Sequence, residues 1–353
     1  MQARDHVPFA ELTTLRVGGP ARRLVRADSE DEIVDAVSEA DAARDRLLVI
    51  AGGSNLLIAD EGFDGTALLV AAGGIASSAG GDGVRVEVGA GESWDRAVAS
   101  CVTAGLAGLE CLSGIPGCTG ATPIQNVGAY GQEVSDTIAS VRVYDRRSGK
   151  VVELPPEQCG FAYRSSAFKR SARYVVLAVA FVLERSPLAR PVRYAELART
   201  LSVSPGDRPP LADVREAVLT LRRRKGMVID PSDPDSVSAG SFFVNPILSV
   251  DQFAALRVRA AERLGDEEAV PHWPEPDGSV KTSAAWLIER AGFHRGYGDG
   301  RAGISSKHTL AIVNRGGATS AELVALAREL RDGVRAAFGV TLQPEPTLVG
   351  IEL

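Results

Sequence analysis

Seventeen consecutive residues, Ile115-Pro-Gly-Cys-Thr-Gly-Ala-Thr-Pro-Ile-Gln-Asn-Val-Gly-Ala-Tyr-Gly131, hold four glycines and two prolines. Proline lacks an amide proton and glycine loses the most backbone freedom on ordering, so this run excludes an ordinary helix or strand. A loop of that length in a folded chain is either disordered or shaped around a ligand, and the apolar Ile115, Ile124 and Val127 argue for a ligand. A second small-residue turn, Gly52-Gly53-Ser54-Asn55, follows Leu47-Leu48-Val49-Ile50, which reads as a short buried strand. Successive small residues there let backbone N–H groups converge on an anion such as a diphosphate. The plain alternative is a tight turn, and no Lys-Ser/Thr pair of a Walker loop follows. Gly89-Ala-Gly91 begins like a dinucleotide fingerprint, but Trp94 stands where a third glycine would allow close helix packing, so it reads as strand, turn and helix start.

The rest of the chain supplies a frame for these loops. Its 353 residues suffice for two or three domains, and 45% hydrophobic with 24% charged residues is a folding composition. A formal charge of −6 gives no global reason to bind nucleic acid or an anionic membrane. The region from Met1 to Arg16 is too charged for a signal peptide, and no apolar run reaches membrane-spanning length, so a cytoplasmic location is expected. Cys101, Cys111, Cys118 and Cys159 form no C-x-x-C pair and the four histidines show no ligand spacing, so no metal site is expected. Ser29 and Glu32 form a capping box before Ile33, Val34, Val37 and Ala40, and Thr319 with Glu322 forms another before Leu323, Leu326, Leu330 and Val334, stopping at Gly339. Leu211–Lys225 carries acidic residues early, basic residues late and Gly226 just beyond, which predicts a helix. Thr66–Val70, Val84–Val88 and the hairpin Val141–Tyr144/Val151–Leu154 read as strands. The mixture lacks strict alternation, which favours an α+β fold, and the proline-rich stretch after Gly226 places a domain boundary near residue 226.

These loops, with Gly52-Gly53-Ser54-Asn55-Leu56-Leu57, Phe161-Ala-Tyr-Arg164-Ser-Ser, Ala239-Gly-Ser241-Phe-Phe-Val-Asn245-Pro246 and Pro344-Glu345-Pro346, resemble the UDP-N-acetylenolpyruvoylglucosamine reductase family over essentially the whole chain. The resemblance is to its longer subtype, in which a tyrosine loop covers the substrate. Ala51, where a third glycine is usual, and Thr13-Thr14, where Asn-Thr is typical, are departures.

The resemblance implies an FAD-binding fold of the vanillyl-alcohol oxidase-like (PCMH) type over residues 1–226, in subdomains of about 1–70 and 71–226. A smaller α+β substrate-binding domain, 227–353, follows, its C-terminal segment returning to the active site. It implies non-covalent FAD, NADPH as co-substrate, and reduction of the enolpyruvyl ether of UDP-N-acetylglucosamine to UDP-N-acetylmuramate in peptidoglycan precursor synthesis, by a chain expected to be a monomer. Gly52, Gly53, Ser54, Asn55 and Leu56 then fall to the FAD diphosphate. Gly117, Gly120, Ala121, Gln125, Asn126, Gly128 and Tyr130 fall to the flavin side. Arg164 and Glu345 are the implied stabilisers of negative charge and Ser241 the implied proton donor; Tyr194, Arg222, Lys225, Asn245 and Lys281 are the implied substrate contacts. Read without the family, the same residues pass as a salt-bridging arginine, a turn serine, a loop acid, a packing tyrosine and the basic end of a helix. A sugar or alcohol oxidase of the same fold, or a non-catalytic flavin-binding scaffold, are the competing functions.

Overall fold

The computed structural model describes residues 1–81, 83–265 and 269–353. They form two compact units. The first comprises Met1–Val7, Ala21–Gly53 and Phe63–Arg224; the second comprises Pro8–Pro20, Ser54–Gly62 and Lys225–Leu353. The chain therefore changes unit five times, the last time between Arg224 and Lys225. The segments 8–20 and 54–62, expected within a continuous FAD-binding domain, pack in the second unit because their apolar residues Leu15, Val17 and Leu57 complete its core.

In the first unit, strands run in the order Gln2–Pro8, Pro20–Ala27, Phe63–Val70, Leu47–Ile50. Pro20–Ala27 and Leu47–Ile50 both pair parallel to Phe63–Val70, and helix Glu30–Ala42 lies between them in sequence. Parallel strands of one sheet need such a crossover. Ser29 caps the helix as read, accepting the Glu32 N–H at 3.2 Å, but the reciprocal bond differs from the capping box expected. Glu32 instead reaches one residue further back, to the Asp28 N–H at 2.7 Å, and holds the terminal amine at 2.6 Å. The second sheet is antiparallel, ordered Lys150–Leu154, Ile138–Asp145, Tyr174–Arg185, Gly83–Gly89, Ile75–Gly80. Gly83–Gly89 alternates half-buried and buried residues, as the period-2 pattern requires, whereas Tyr174–Arg185 is buried from Val175 to Phe181 because it lies mid-sheet. Trp94, first residue of helix Trp94–Thr103, is fully buried 5.8 Å from the Phe181 ring and donates its indole N–H to Leu112 O at 3.1 Å.

In the same unit, helix Leu211–Arg224 presents Leu211, Val214, Val218 and Leu221 to a satellite core with Ala107, Cys111, Ala189, Val192, Leu197 and Ala198. Gly226, at φ 66°, follows the helix in the left-handed conformation that side chains resist.

The second unit sets helices Val250–Leu264, Ala284–Arg290 and Ser320–Phe338 against two three-stranded sheets. Thr319 and Glu322 close the expected capping box, and Gly339 ends the helix at φ 73°. A two-stranded parallel sheet joins Leu56–Ile58 to Thr347–Val349, so the C-terminal end of the chain is registered against its early part. Asn314 donates to Leu15 O at 2.9 Å, and Asp60 accepts the N–H groups of Ser320 and Ala321 at the start of the last helix. A carboxylate at that position also suits the helix dipole.

Candidate active site

The glycine loop is laced to the end of strand Gly83–Gly89 and the start of helix Trp94–Thr103. Gly120 N–H donates to Ala90 O, Thr119 N–H to Glu92 O and Trp94 N–H to Gly117 O, all at 2.9–3.0 Å. It is ordered, as its apolar residues indicated. The glycines are needed for close approach. A Cβ on Gly120 would lie 2.6 Å from the Ala90 Cβ, and one on Gly52 would lie 2.6 Å from the Gly117 Cα. The two small-residue turns of the first unit thus touch backbone to backbone, with Gly52 and residues 115–118 half-exposed. Gly53 (φ 56°) and Gly117 (φ 112°) use conformations that glycine alone adopts freely. Ser54, Asn55 and Leu56, expected with Gly52 and Gly53, belong to the second unit.

Beyond the turn, Asn126 and Tyr130 have φ of 47° and 48° and Arg164 has φ of 49°, three left-handed non-glycine residues in one patch. Each such residue costs on the order of 1 kcal/mol or more, and such strain clusters at functional sites. The Arg164 guanidinium donates to Gly128 O at 2.7 Å and Asn126 O at 3.3 Å, and lies 3.8 Å from Glu133. Its own carbonyl accepts the Lys169 ammonium at 2.6 Å, and its guanidinium carbon lies 5.2 Å from the Tyr163 ring centre. Asn126 is buried and its side chain serves the scaffold: the amide group donates to Glu133 and to Ala162 O, while its oxygen accepts the Ser135 N–H. Gly128 is hemmed by Glu133 and Arg164, Gln125 is half-exposed and Ala121 is exposed.

Tyr130 meets Tyr194 edge to face, 5.5 Å between ring centres at 89°. Burial pushes the Tyr130 hydroxyl up to about 12, opposed by the positive charge of Arg222. Arg222 is buried in helix Leu211–Arg224, and burial pulls its guanidinium down to about 10 against the pull of Tyr130 and Asp95. The basic end of this helix is therefore not all solvated, because Arg222 lies on the inward face while Arg223 and Arg224 are exposed. Tyr194 is 46% exposed. Lys225 belongs to the second unit.

In the second unit, Ser241 ends strand Ser238–Ser241 after Gly240, which takes φ 74°. The strand is tied from both sides: Thr14 donates to Ser238 O at 2.6 Å, and Ser241 pairs with Ala311. The next residues pair with the C-terminal segment, Glu345 N–H donating to Phe242 O at 2.8 Å and Phe243 bridging Pro344. Glu345 O in turn accepts the Asn55 side-chain amide at 3.4 Å, and Thr347 N–H donates to Asn55 O at 2.9 Å. Ser241, Glu345 and Asn55, 290 residues apart at their extremes, are thus gathered by main-chain bonds. Asn245 and Lys281 each carry a structural bond: Asn245 accepts the Ala284 N–H at 3.0 Å at a helix start, and Lys281 pairs with Glu275 at 2.5 Å. The sequence reading missed Glu133 and Lys169, whose acidic and basic side chains flank the two motifs and hold Asn126 and Arg164.

Two family models match. Residues 231–349 fit the UDP-N-acetylenolpyruvoylglucosamine reductase C-terminal domain, and residues 21–155 fit an FAD binding domain. The UDP-N-acetylenolpyruvoylglucosamine reductase of Thermobifida fusca is 59% identical over 99% of this chain and 98% of its own length. The chain belongs to the UDP-N-acetylenolpyruvoylglucosamine reductase family. The family's enzyme from Streptomyces avermitilis is 57% identical over all of this chain and 96% of that protein. The crystal structure of the Thermus caldophilus reductase superposes with a TM-score of 0.65 at 25% identity, covering 99% of this chain and all of that one. The protein is an FAD-dependent reductase of α+β fold. The Gly52-Gly53 turn, where a side chain at Gly52 would strike the Gly117 backbone, suits a diphosphate, which binds to bare backbone N–H groups.

Proposed function

We propose that this reductase adds hydride and a proton across the enolpyruvyl double bond of the UDP-N-acetylglucosamine ether, giving UDP-N-acetylmuramate. FAD, when bound, supplies the hydride chemistry with NADPH as the source of electrons. Hydride arriving at the terminal alkene carbon leaves negative charge on the carbon that bears the carboxylate. Stabilising that charge falls to preorganised donors. Arg164, anchored through Gly128 O and Asn126 O, holds the carboxylate with its planar fork, and Glu345 supports the same charge. Ser241 gives its hydroxyl proton to the carbon and regains one from solvent. A hydroxyl is a feeble acid, but the carbon it serves is a strong base, so positioned transfer suffices. Tyr194, Arg222 and Lys225 contact the nucleotide sugar. Asn245 and Lys281 do so alongside their structural bonds. Gly52, Gly53, Ser54, Asn55 and Leu56 hold the FAD diphosphate, and the loop from Gly117 to Tyr130 holds the flavin, without a covalent link.

The observation that carries this reading is the main-chain pairing of Phe242 with Glu345, which sets the segment carrying Ser241 beside the one carrying Glu345. No helix among the described residues is long and apolar enough to cross a membrane, and we place the enzyme in the cytoplasm as a monomer. The test is a visible spectrum for bound flavin followed by NADPH absorbance with and without the UDP-enolpyruvyl sugar. Oxidation that requires the sugar supports the reading. Steady oxygen consumption with an alcohol or sugar, and none of NADPH with the UDP-sugar, would replace it with an oxidase.

A further inference from the structure

Glu110 is fully buried in the first unit, and the three groups that donate to its carboxylate are all neutral. Oε2 accepts the Gly108 N–H at 2.6 Å. Oε1 accepts both the Gln132 side-chain amide at 3.0 Å and the Arg190 N–H at 2.8 Å. Gln132 returns the link, its amide oxygen accepting the Cys111 N–H at 2.9 Å. One carboxylate therefore joins three stretches of chain: the turn at 108–112, the strand Gln132–Glu133, and the segment leading to Tyr194. Gln132 pairs with Ala129 in the hairpin whose turn carries Tyr130. Around Arg190 and beyond, burial of Ala189, Val192, Leu197 and Ala198 anchors both flanks of Tyr194 and leaves its ring exposed against Tyr130.

We propose that Glu110 is a positioning residue that fixes the Tyr194 segment against the hairpin, and so acts on the nucleotide sugar through Tyr194. This rests on the reading above, in which Tyr194 contacts the UDP-sugar. Three N–H donors converge on two oxygens, a pattern only a carboxylate satisfies. A glutamine of the same shape must turn its own N–H₂ toward at least one of them, leaving a buried donor without an acceptor. Aspartate, one methylene shorter, does not span the same three donors.

The test is steady-state kinetics of the FAD-loaded full chain carrying Glu110→Gln. The KM for the UDP-enolpyruvyl sugar should rise about tenfold, the factor set by loss of one such hydrogen bond, with kcat and the NADPH KM within about twofold of wild type. Tyr194→Ala should raise the same KM, and the double variant should be no worse than Tyr194→Ala alone, since both act through one ring. An unchanged UDP-sugar KM, an equal rise in both KM values, or multiplying effects in the double variant would overturn the proposal. If Glu110→Gln is isolated without flavin, Gln132→Leu cuts the link from the hairpin side and is read by the same criteria. A wild-type enzyme inactive on the UDP-sugar refutes the function above, and the positioning is then decided by trypsin cleavage at the exposed Arg193 and Arg199. Faster cleavage in Glu110→Gln upholds it, and an unchanged rate overturns it.

Discussion

Replacing Gly52 with alanine tests whether the two glycine turns are held together by contact between backbones. The added Cβ would lie 2.6 Å from the Gly117 Cα, 3.1 Å from the Gly117 carbonyl carbon and 3.3 Å from the Cys118 nitrogen. Ordinary contact begins near 3.4 Å, so the turns must part by 3.4 − 2.6 = 0.8 Å, and main-chain atoms can move aside only by displacing the loop. Overpacking of this kind costs about 1–3 kcal/mol. In a protein of this size each kcal/mol lowers Tm by about 2–4 °C, so the apoprotein should melt about 2–12 °C lower. With the diphosphate held at Gly52 and Gly53 as proposed, parting the turns by that distance would also lengthen its hydrogen bonds, and FAD should bind about tenfold more weakly, the equivalent of about 1.4 kcal/mol. Gly300→Ala, whose Cβ would stand 4.0 Å from its nearest neighbour, is the control and should change neither quantity. Flavin fluorescence titration and thermal melts of apoprotein and holoprotein separate the two effects. Wild-type melting and wild-type FAD affinity in Gly52→Ala would refute the claim that these turns are pressed together in the folded chain.

Three further outcomes follow from other parts of the molecule. Ser241→Ala should reduce its flavin with NADPH at the wild-type rate but slow reoxidation by the UDP-enolpyruvyl sugar by about 10²-fold; a stopped-flow defect confined to the NADPH step would remove Ser241 from proton transfer. Burial pushes the Asp95 carboxyl up, but Arg215 bonded to both oxygens at 2.7 and 2.9 Å, with the Gly114 N–H, outweighs it and leaves the group below its ordinary value. A folded value depressed in this way stabilises above the unfolded value, so Asp95→Asn should lower Tm at neutral pH and the gap should close as pH falls below about 4. A gap unchanged at about pH 3 would contradict this. Finally, burial raises the Cys101 and Cys159 thiols to about 11 and Cys111 further still, whereas Cys118 is only half-buried. An aromatic disulfide reagent should therefore react first with Cys118, and mass mapping that finds any of the other three modified first would refute the burial argument.

Much of the frame was legible because its causes are local. The Thr319–Glu322 box, the Gly339 stop and the hairpin between Val141 and Leu154 are decided by residues a few positions apart, and each stands where periodicity placed it. The glycine loop was legible as a special backbone for the same reason. What sequence did not disclose are partnerships over long separations. Asn126, Asn245 and Lys281 carry polar groups that would suit a ligand equally well, and only the fold shows that they hold Glu133, Ala284 and Glu275. Glu110 lay hidden in the same way. Its one signal was an acid in the apolar stretch Leu109-Glu-Cys-Leu112, where an unpartnered charge would be untenable.

The five crossings between units also set an order in time. Leu15, Val17 and Leu57 are made well before the side chains they pack with, which lie between Ala239 and Leu353. From Ile58 to Thr347 is 347 − 58 = 289 residues, or roughly 15–60 s of synthesis at the usual rate. Throughout that interval the first unit can gather its own strands while two apolar segments that interrupt its sequence wait for their partners. Strand Thr347–Val349 can close on Leu56–Ile58 only when that interval is over, so the second core is completed late.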